Sequence, residues 1–173
     1  LTVFRELDKK FPEYDFIYFG DNARTPYGSR SPETIYEYTK EAVGWLFGQG
    51  CELIILACNT ASATALRKIQ QEYLPADFPE KRVLGVLIPI AEAIAQENPT
   101  DVGILATKAT VESGAYLKEI KKLKPDIRVI QQAAPLLVPL IEEGKVDEPI
   151  TKSVLTDYLT DFKKENIKNI ILG

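Results

Sequence analysis

The chain has 173 residues, 45% of them hydrophobic and 27% charged, enough apolar material for a globular core in one domain or two small ones. Its formal net charge is −4, from 21 Lys and Arg against 25 Asp and Glu, with no basic cluster. Nucleic acid, which needs a concentrated positive surface, is therefore not an expected partner. Histidine is absent, which excludes imidazole bases, Ser-His pairs and most zinc sites within these residues.

The first apolar run, residues 16–19, reads as a strand, and the polar turn Thr25-Pro26-Tyr27-Gly28-Ser29 follows it. A helix comes next. Ser31 suits its N-cap and Pro32 its first position, and Ile35, Tyr38, Ala42, Val43, Leu46 and Phe47 recur at helical spacing before Gly50. Residues 53–57 predict a strand, 60–73 a helix and 83–87 another strand. A short apolar helix within 89–100 then closes on Asn98-Pro99-Thr100. Strands at 102–106, 127–130 and 167–172 alternate with helices at 108–123 and 148–164. The strand runs are rich in Ile, Val and Leu without strict alternation, as in parallel strands buried on both faces, so the expected class is α/β. The 89–100 stretch reads as a hinge between a first domain over residues 1–94 and a second over 95–173. A weak internal echo supports the division: Glu52 to Ala57 precede Cys58, and Lys168 to Gly173 repeat that pattern. No apolar run approaches the ~20 residues of a membrane span and no signal peptide opens the chain, so a cytoplasmic protein without a membrane partner is expected. Methionine is absent even at position 1, which suggests a segment of a longer protein.

Cys58 stands where strand 53–57 ends and helix 60–73 begins. In parallel α/β sheets, ligands bind beyond the carboxyl ends of strands, and the following helix aims its free amides and positive end at that crevice. The same place favours the thiolate form of a cysteine. Asn59 and Thr60 add short hydrogen-bonding side chains suited to a small anion. A buried, inert cysteine, with Asn59 or Thr60 merely capping the helix, fits the local pattern equally well. Cys51 starts the same strand at its far end and reads as structural. Seven strand steps hold the two α-carbons ~23 Å apart, beyond the roughly 7 Å a disulfide tolerates, so both thiols are expected to be free, as in a reducing compartment. The 25–29 turn also follows a strand. A Gly28 amide and the Tyr27 phenol could hold a carboxylate there, although an ordinary Pro/Gly turn has the same composition. Residues 106–113 again carry Thr and Ser hydroxyls, at Thr107, Thr110 and Ser113, from a strand into a helix, and N-capping explains most of that.

Several stretches run in one order over nearly the whole chain: Tyr18-Phe19-Gly20-Asp21, Pro26-Tyr27-Gly28, Ser31-Pro32-Glu33-Thr34-Ile35, Ala57 to Ser62, Ala106 to Tyr116, and Pro135-Leu136-Leu137-Val138-Pro139-Leu140. Together they resemble the glutamate racemases of the aspartate/glutamate racemase superfamily. The resemblance implies two similar three-layer αβα domains with parallel sheets, facing each other across a cleft, each giving one catalytic cysteine. Cys58 matches the first. Pro26, Tyr27, Gly28, Asn59 and Thr60 match substrate-holding positions, joined from the second domain by Thr110 and Thr107. The second cysteine belongs to a Gly-Cys-Thr-His-Tyr-Pro motif, and Gly173 matches its glycine. An Asp-Ser-Gly motif is expected to precede Leu1, and Ala134 stands where many relatives carry a non-catalytic cysteine. The implied reaction interconverts L- and D-glutamate by two-thiol proton transfer without pyridoxal phosphate, metal or nucleotide, and supplies D-glutamate for peptidoglycan. A homodimer is an assembly open to it, and this chain alone is expected to be inactive. A related amino-acid or hydantoin racemase, or a non-catalytic ligand-binding α/β domain, are the competing readings.

Overall fold

The computed structural model describes residues 2–173. It opens on a helix that the apolar pattern did not announce, α1 (Thr2–Lys10). Phe4 of α1 packs edge-on against Phe16, with ring centroids 5.8 Å apart, and against Tyr18 at 5.7 Å. Phe19 in turn packs on Trp45, 5.4 Å away. The expected strand at 16–19 is not formed: the segment is irregular, with its four side chains 37–56% exposed. A strand exists through its ladder, and among the described residues none pairs with this segment, which instead packs its aromatic rings on α1 and α2.

α2 (Pro32–Gly48) follows the expected rules closely. Ser31 Oγ accepts from Thr34 N–H at 3.2 Å and Pro32 occupies the first turn. Its face buries Ile35, Tyr36, Val43, Leu46 and Phe47, and Thr39 is satisfied by donating to the Ile35 carbonyl at 2.7 Å. Gly50, at φ +92°, releases the chain into β1 (Leu53–Leu56). The next helical stretch, expected as one helix, is segmented: α3 (Asn59–Thr64), a short α4 (Leu66–Lys68), a π-helical turn over Ile69–Tyr73, and α5 (Leu74–Asp77). Pro75 explains the wide turn. It has no N–H for an ordinary helical bond and its ring crowds the preceding turn, so Leu74 N–H reaches back to Ile69 instead.

β2 (Arg82–Gly85) pairs in parallel with β1, Ile54 opposite Val83 and Leu56 opposite Gly85. Gly85 ends it two residues sooner than expected because the helix lies close there. A Cβ on Gly85 would stand 2.6 Å from Leu66 Cδ2 and 2.9 Å from Ser62 Oγ. α6 (Leu87–Glu97) then runs to Asn98, which takes the left-handed conformation. The second sheet has the order β4-β3-β5, all parallel, built from β3 (Asp101–Ala106), β4 (Arg128–Ala133) and β5 (Ile170–Leu172). Two single helices expected from sequence are each broken. Residues 108–123 divide into α7 (Lys108–Ser113) and α8 (Ala115–Leu123) at Gly114, φ +63°. The region after β4 holds α9 (Leu137–Glu142), α10 (Pro149–Tyr158) and α11 (Thr160–Lys164), the last two interrupted at Leu159.

Packing assigns the elements to their cores. The first core joins Ile35, Val43 and Phe47 to Ile54, Ile69 and Val83. The second joins one face of β3, Val102 and Ile104, to Ile120 of α8 and to Leu87, Ala91 and Ile94 of α6. On the other face of β3, Phe162 and Ile167 lie against Gly103, where a Cβ would sit 3.1 Å from each. The second sheet is thus covered on both faces, with β3 buried along its length from Val102 to Ala106. β1 and β2 bury Ile54 and Val83 but leave Leu53, Ile55 and Leu84 exposed on the opposite face.

Candidate active site

Both parallel sheets end in the same device. At the carboxyl end of β1 the chain passes through Ala57 to Cys58, the N-cap of α3, whose Sγ accepts from Ala61 N–H at 3.5 Å. At the carboxyl end of β3 it passes to Thr107, the N-cap of α7, whose Oγ1 accepts from Thr110 N–H at 3.4 Å. The sequence expectation of capping at Thr107 therefore holds, but the cap also does something else. Thr60, Thr107 and Thr110 meet in a triangle of hydroxyls, with Thr60 to Thr107 at 2.8 Å, Thr107 to Thr110 at 3.0 Å and Thr110 to Thr60 at 3.3 Å. Thr60 and Thr110 are buried and Thr107 is half-buried. Helix N-termini from the two sheets thus abut, bringing their unpaired amides and positive ends to one place.

The 26–28 turn closes on the same spot. Ala109 N–H donates to the Gly28 carbonyl at 3.1 Å. A Cβ on Gly28 would stand 2.6 Å from Thr107 Cβ, so only glycine allows this approach. Tyr27 is half-buried and donates its hydroxyl proton to Asp21, which Arg24 Nε also engages at 2.7 Å. Arg24 pairs with Glu41 and lies 4.5 Å over the Tyr38 ring, tying the turn to α2. Burial works against the Asp21 carboxylate, but the hydrogen bonds from Arg24 and Tyr27 outweigh it and hold its pKa below the ordinary value. Burial, then the hydrogen bond to Asp21, push the Tyr27 phenol well up, with a smaller contribution from the nearby Cys58. The phenol proton expected to serve a carboxylate ligand is thus committed to Asp21. Pro26 is exposed at the turn.

Cys58 is exposed, while Cys51 is half-buried against the first core, and both are free thiols. Ser62, below Cys58, donates to the Leu56 carbonyl at 2.9 Å and accepts from Val86 N–H at 3.4 Å, pinning both strand ends. Asn59 accepts from the Tyr116 hydroxyl at 2.6 Å. Sequence reasoning did not assign Asp21, Arg24 or Tyr116. Asp21 and Tyr116 lay inside the stretches that carried the resemblance, but their roles depend on contacts up to 57 residues away. Among the described residues, no three His, Cys, Asp or Glu side chains converge as metal ligands, and no helix is long and apolar enough to cross a membrane. An open apolar hollow lined by Leu136, Leu140, Ile150 and Val154 includes none of these site residues.

Comparison with known proteins agrees over the whole chain. Residues 2–173 match the Asp/Glu/Hydantoin racemase family. The chain is 42% identical to the glutamate racemase of Persephonella marina and 41% identical to that of Aquifex aeolicus, in each case over 100% of its own length and 64% or 65% of the relative's. It superimposes on the glutamate racemase of Francisella tularensis in complex with D-glutamate with a TM-score of 0.89 at 37% identity, covering 99% of this chain and 62% of that one. The glutamate racemase of Aquifex pyrophilus gives a TM-score of 0.81 at 38% identity, over 99% of this chain and 65% of that one. The chain thus spans under two thirds of the length of these relatives. With its paired strand-to-helix switches, its exposed Cys58 and a match from residue 2 to residue 173, the chain belongs to the Asp/Glu/Hydantoin racemase family.

Proposed function

We propose that this chain carries one half of the proton-transfer machinery of a cofactor-independent glutamate racemase, with Cys58 as one of two thiols. The observation that carries the reading is the position of Cys58: an exposed thiol at a helix N-cap, beside the junction where Thr60 of α3 meets Thr107 and Thr110 at the start of α7 and Asn59 meets Tyr116 of α8. The Francisella relative holds D-glutamate, and glutamate is proposed as the substrate here.

Racemisation removes the α-proton from one face of the substrate and delivers a proton to the other. The carbanionic transition state needs fixed donors at the carboxylate where charge gathers. In this reading the Cys58 thiolate takes the α-proton of D-glutamate and the second thiol protonates the opposite face; in reverse the roles exchange. The Ala61 N–H that bonds Sγ gives the thiolate a partner. Amides at the N-terminal ends of α3 and α7, the Thr60, Thr107 and Thr110 hydroxyls, and the backbone amides of Tyr27 and Gly28 after Pro26 serve the substrate's carboxylates. The second thiol belongs to the part of the relatives' length that this chain does not span. β5 runs parallel to β3: Gly173 N–H donates to the Leu105 carbonyl at 2.9 Å, and a Cβ on Gly173 would touch Ala106 Cβ at 3.0 Å, so the carboxyl ends of β3 and β5 lie side by side. The physiological role proposed is supply of D-glutamate for peptidoglycan in the cytoplasm.

The test is an assay of the full-length protein with D-glutamate and no added cofactor, run in parallel with D-aspartate and a hydantoin. Selective turnover of glutamate is expected. Preferential turnover of either competitor assigns the chain to another activity of the family, and no turnover of any supports a binding domain.

A further inference from the structure

Tyr116 is wholly buried, at 0% exposure, on the turn of α8 that follows the left-handed Gly114. Its hydroxyl reaches across from the second core to Asn59 Oδ1, 2.6 Å away, at the first position of α3 beside Cys58. Burial pushes this phenol up to about 12, so at neutral pH it is a protonated donor. A buried hydroxyl proton needs an acceptor. If the Asn59 amide turned its nitrogen towards Tyr116, the phenol proton would be stranded, whereas the oxygen satisfies it. The amide is therefore held with its oxygen towards Tyr116 and its two N–H donors turned away from it.

We propose that Tyr116 is a positioning residue: it fixes the Asn59 side chain as an N–H donor to an anionic group of the substrate next to Cys58. The ring is itself clamped, since a Cβ on Gly173 would stand 3.0 Å from Tyr116 Cε2 and 3.0 Å from Ala106 Cβ. One rigid side chain thus links the carboxyl end of β5 to the residue that follows Cys58. The identity of the substrate rests on the glutamate racemase reading; the orientation of the amide does not.

The test uses the full-length protein and the variants Y116F, N59A and the double substitution. Y116F removes only the hydroxyl and should lower kcat/KM for glutamate about tenfold, the scale of one good hydrogen bond. In the N59A background the same change should alter kcat/KM by under about twofold, because its target is gone. Equal losses in both backgrounds would make Tyr116 a purely structural residue and overturn the proposal. A second arm needs no activity: the Asn59 side-chain amide signals of ¹⁵N-labelled protein should shift in Y116F and shift again when glutamate is added to the parent. Asn59 signals indifferent to Y116F overturn the proposal even in an active enzyme. A shift in Y116F and on ligand addition, in a parent that racemises nothing, supports the positioning role and rejects the proposed reaction.

Discussion

Cys51 and Cys58 bracket one short strand and differ in what proton transfer requires. Cys58 is exposed at a helix N-cap; Cys51 is half-buried among core side chains. In the full-length protein Cys58→Ala should abolish racemisation in both directions, because each turnover of the proposed reaction uses both thiols, while Cys51→Ala should cost no more than about 1–2 kcal/mol of stability. Retention of substantial turnover by Cys58→Ala, measured by chiral chromatography, would remove Cys58 from the mechanism. The Asp21–Tyr27 pair gives a prediction in pH. The folded-state pKa of Asp21 is lowered, so its contribution to stability is complete above the ordinary carboxylate value and is lost as pH falls through the folded value. Tyr27 is raised, so its contribution is complete below about 10 and is lost only at higher pH. Tyr27→Phe should therefore raise the Asp21 titration midpoint seen by carboxyl ¹³C NMR and make the protein less resistant to acid. An unchanged midpoint would show that Arg24 alone holds the carboxylate.

At the scale of elements, legibility followed the range of the forces. The N-cap of α2, the apolar core of β3 and the switch from β1 into α3 were readable because capping, periodicity and strand composition act within a few residues. Residues 16–19 looked like a strand because apolar composition reports burial tendency, not the presence of a ladder partner. The single helix expected over 108–123 hid the Gly114 break, since glycine in a helical pattern marks a weak point without fixing whether the chain turns there. That break points α8 so that Tyr116 reaches Asn59. Gly114→Ala places a Cβ in ordinary contact, 4.0 Å from Lys118 Cε, but forces an L-residue to φ +63°, and should cost about 1 kcal/mol. A thermal midpoint equal to the parent's would contradict the strain argument. Gly28→Ala meets Thr107 directly and must lift the turn off α7, so a loss of kcat/KM on the order of 100-fold is expected. Its stability should fall far less than its activity.

Across the whole molecule, the division of the chain is best placed where packing changes sides. α6 begins before residue 95 and runs across it, and its buried residues Leu87, Ala91 and Ile94 belong to the second core; we therefore propose a boundary between β2 and α6. The candidate site forms where the halves touch, through the threonine triangle, the Tyr116–Asn59 bond and the contact of Gly28 with Thr107. Apart from the Thr107–Thr110 side of the triangle, these contacts are not local in sequence, which is why sequence physics offered the threonines, Asn59 and Gly28 as candidates, passed over Tyr116, and could not assemble them without the resemblance. A two-thiol reaction also needs a partner that Cys51, at the far end of β1, cannot be, so the 173-residue chain by itself should show no turnover. The central claim is that Cys58 and a second thiol act as separate bases on opposite faces, and deuterated water tests it most directly. With the full-length protein and D-glutamate as substrate, early L-glutamate should carry deuterium at the α-carbon, while the remaining D-glutamate stays largely unlabelled. L-Glutamate that retains its original α-hydrogen, accompanied by label washing into recovered D-glutamate, would mean a single base serving both faces and would contradict the account.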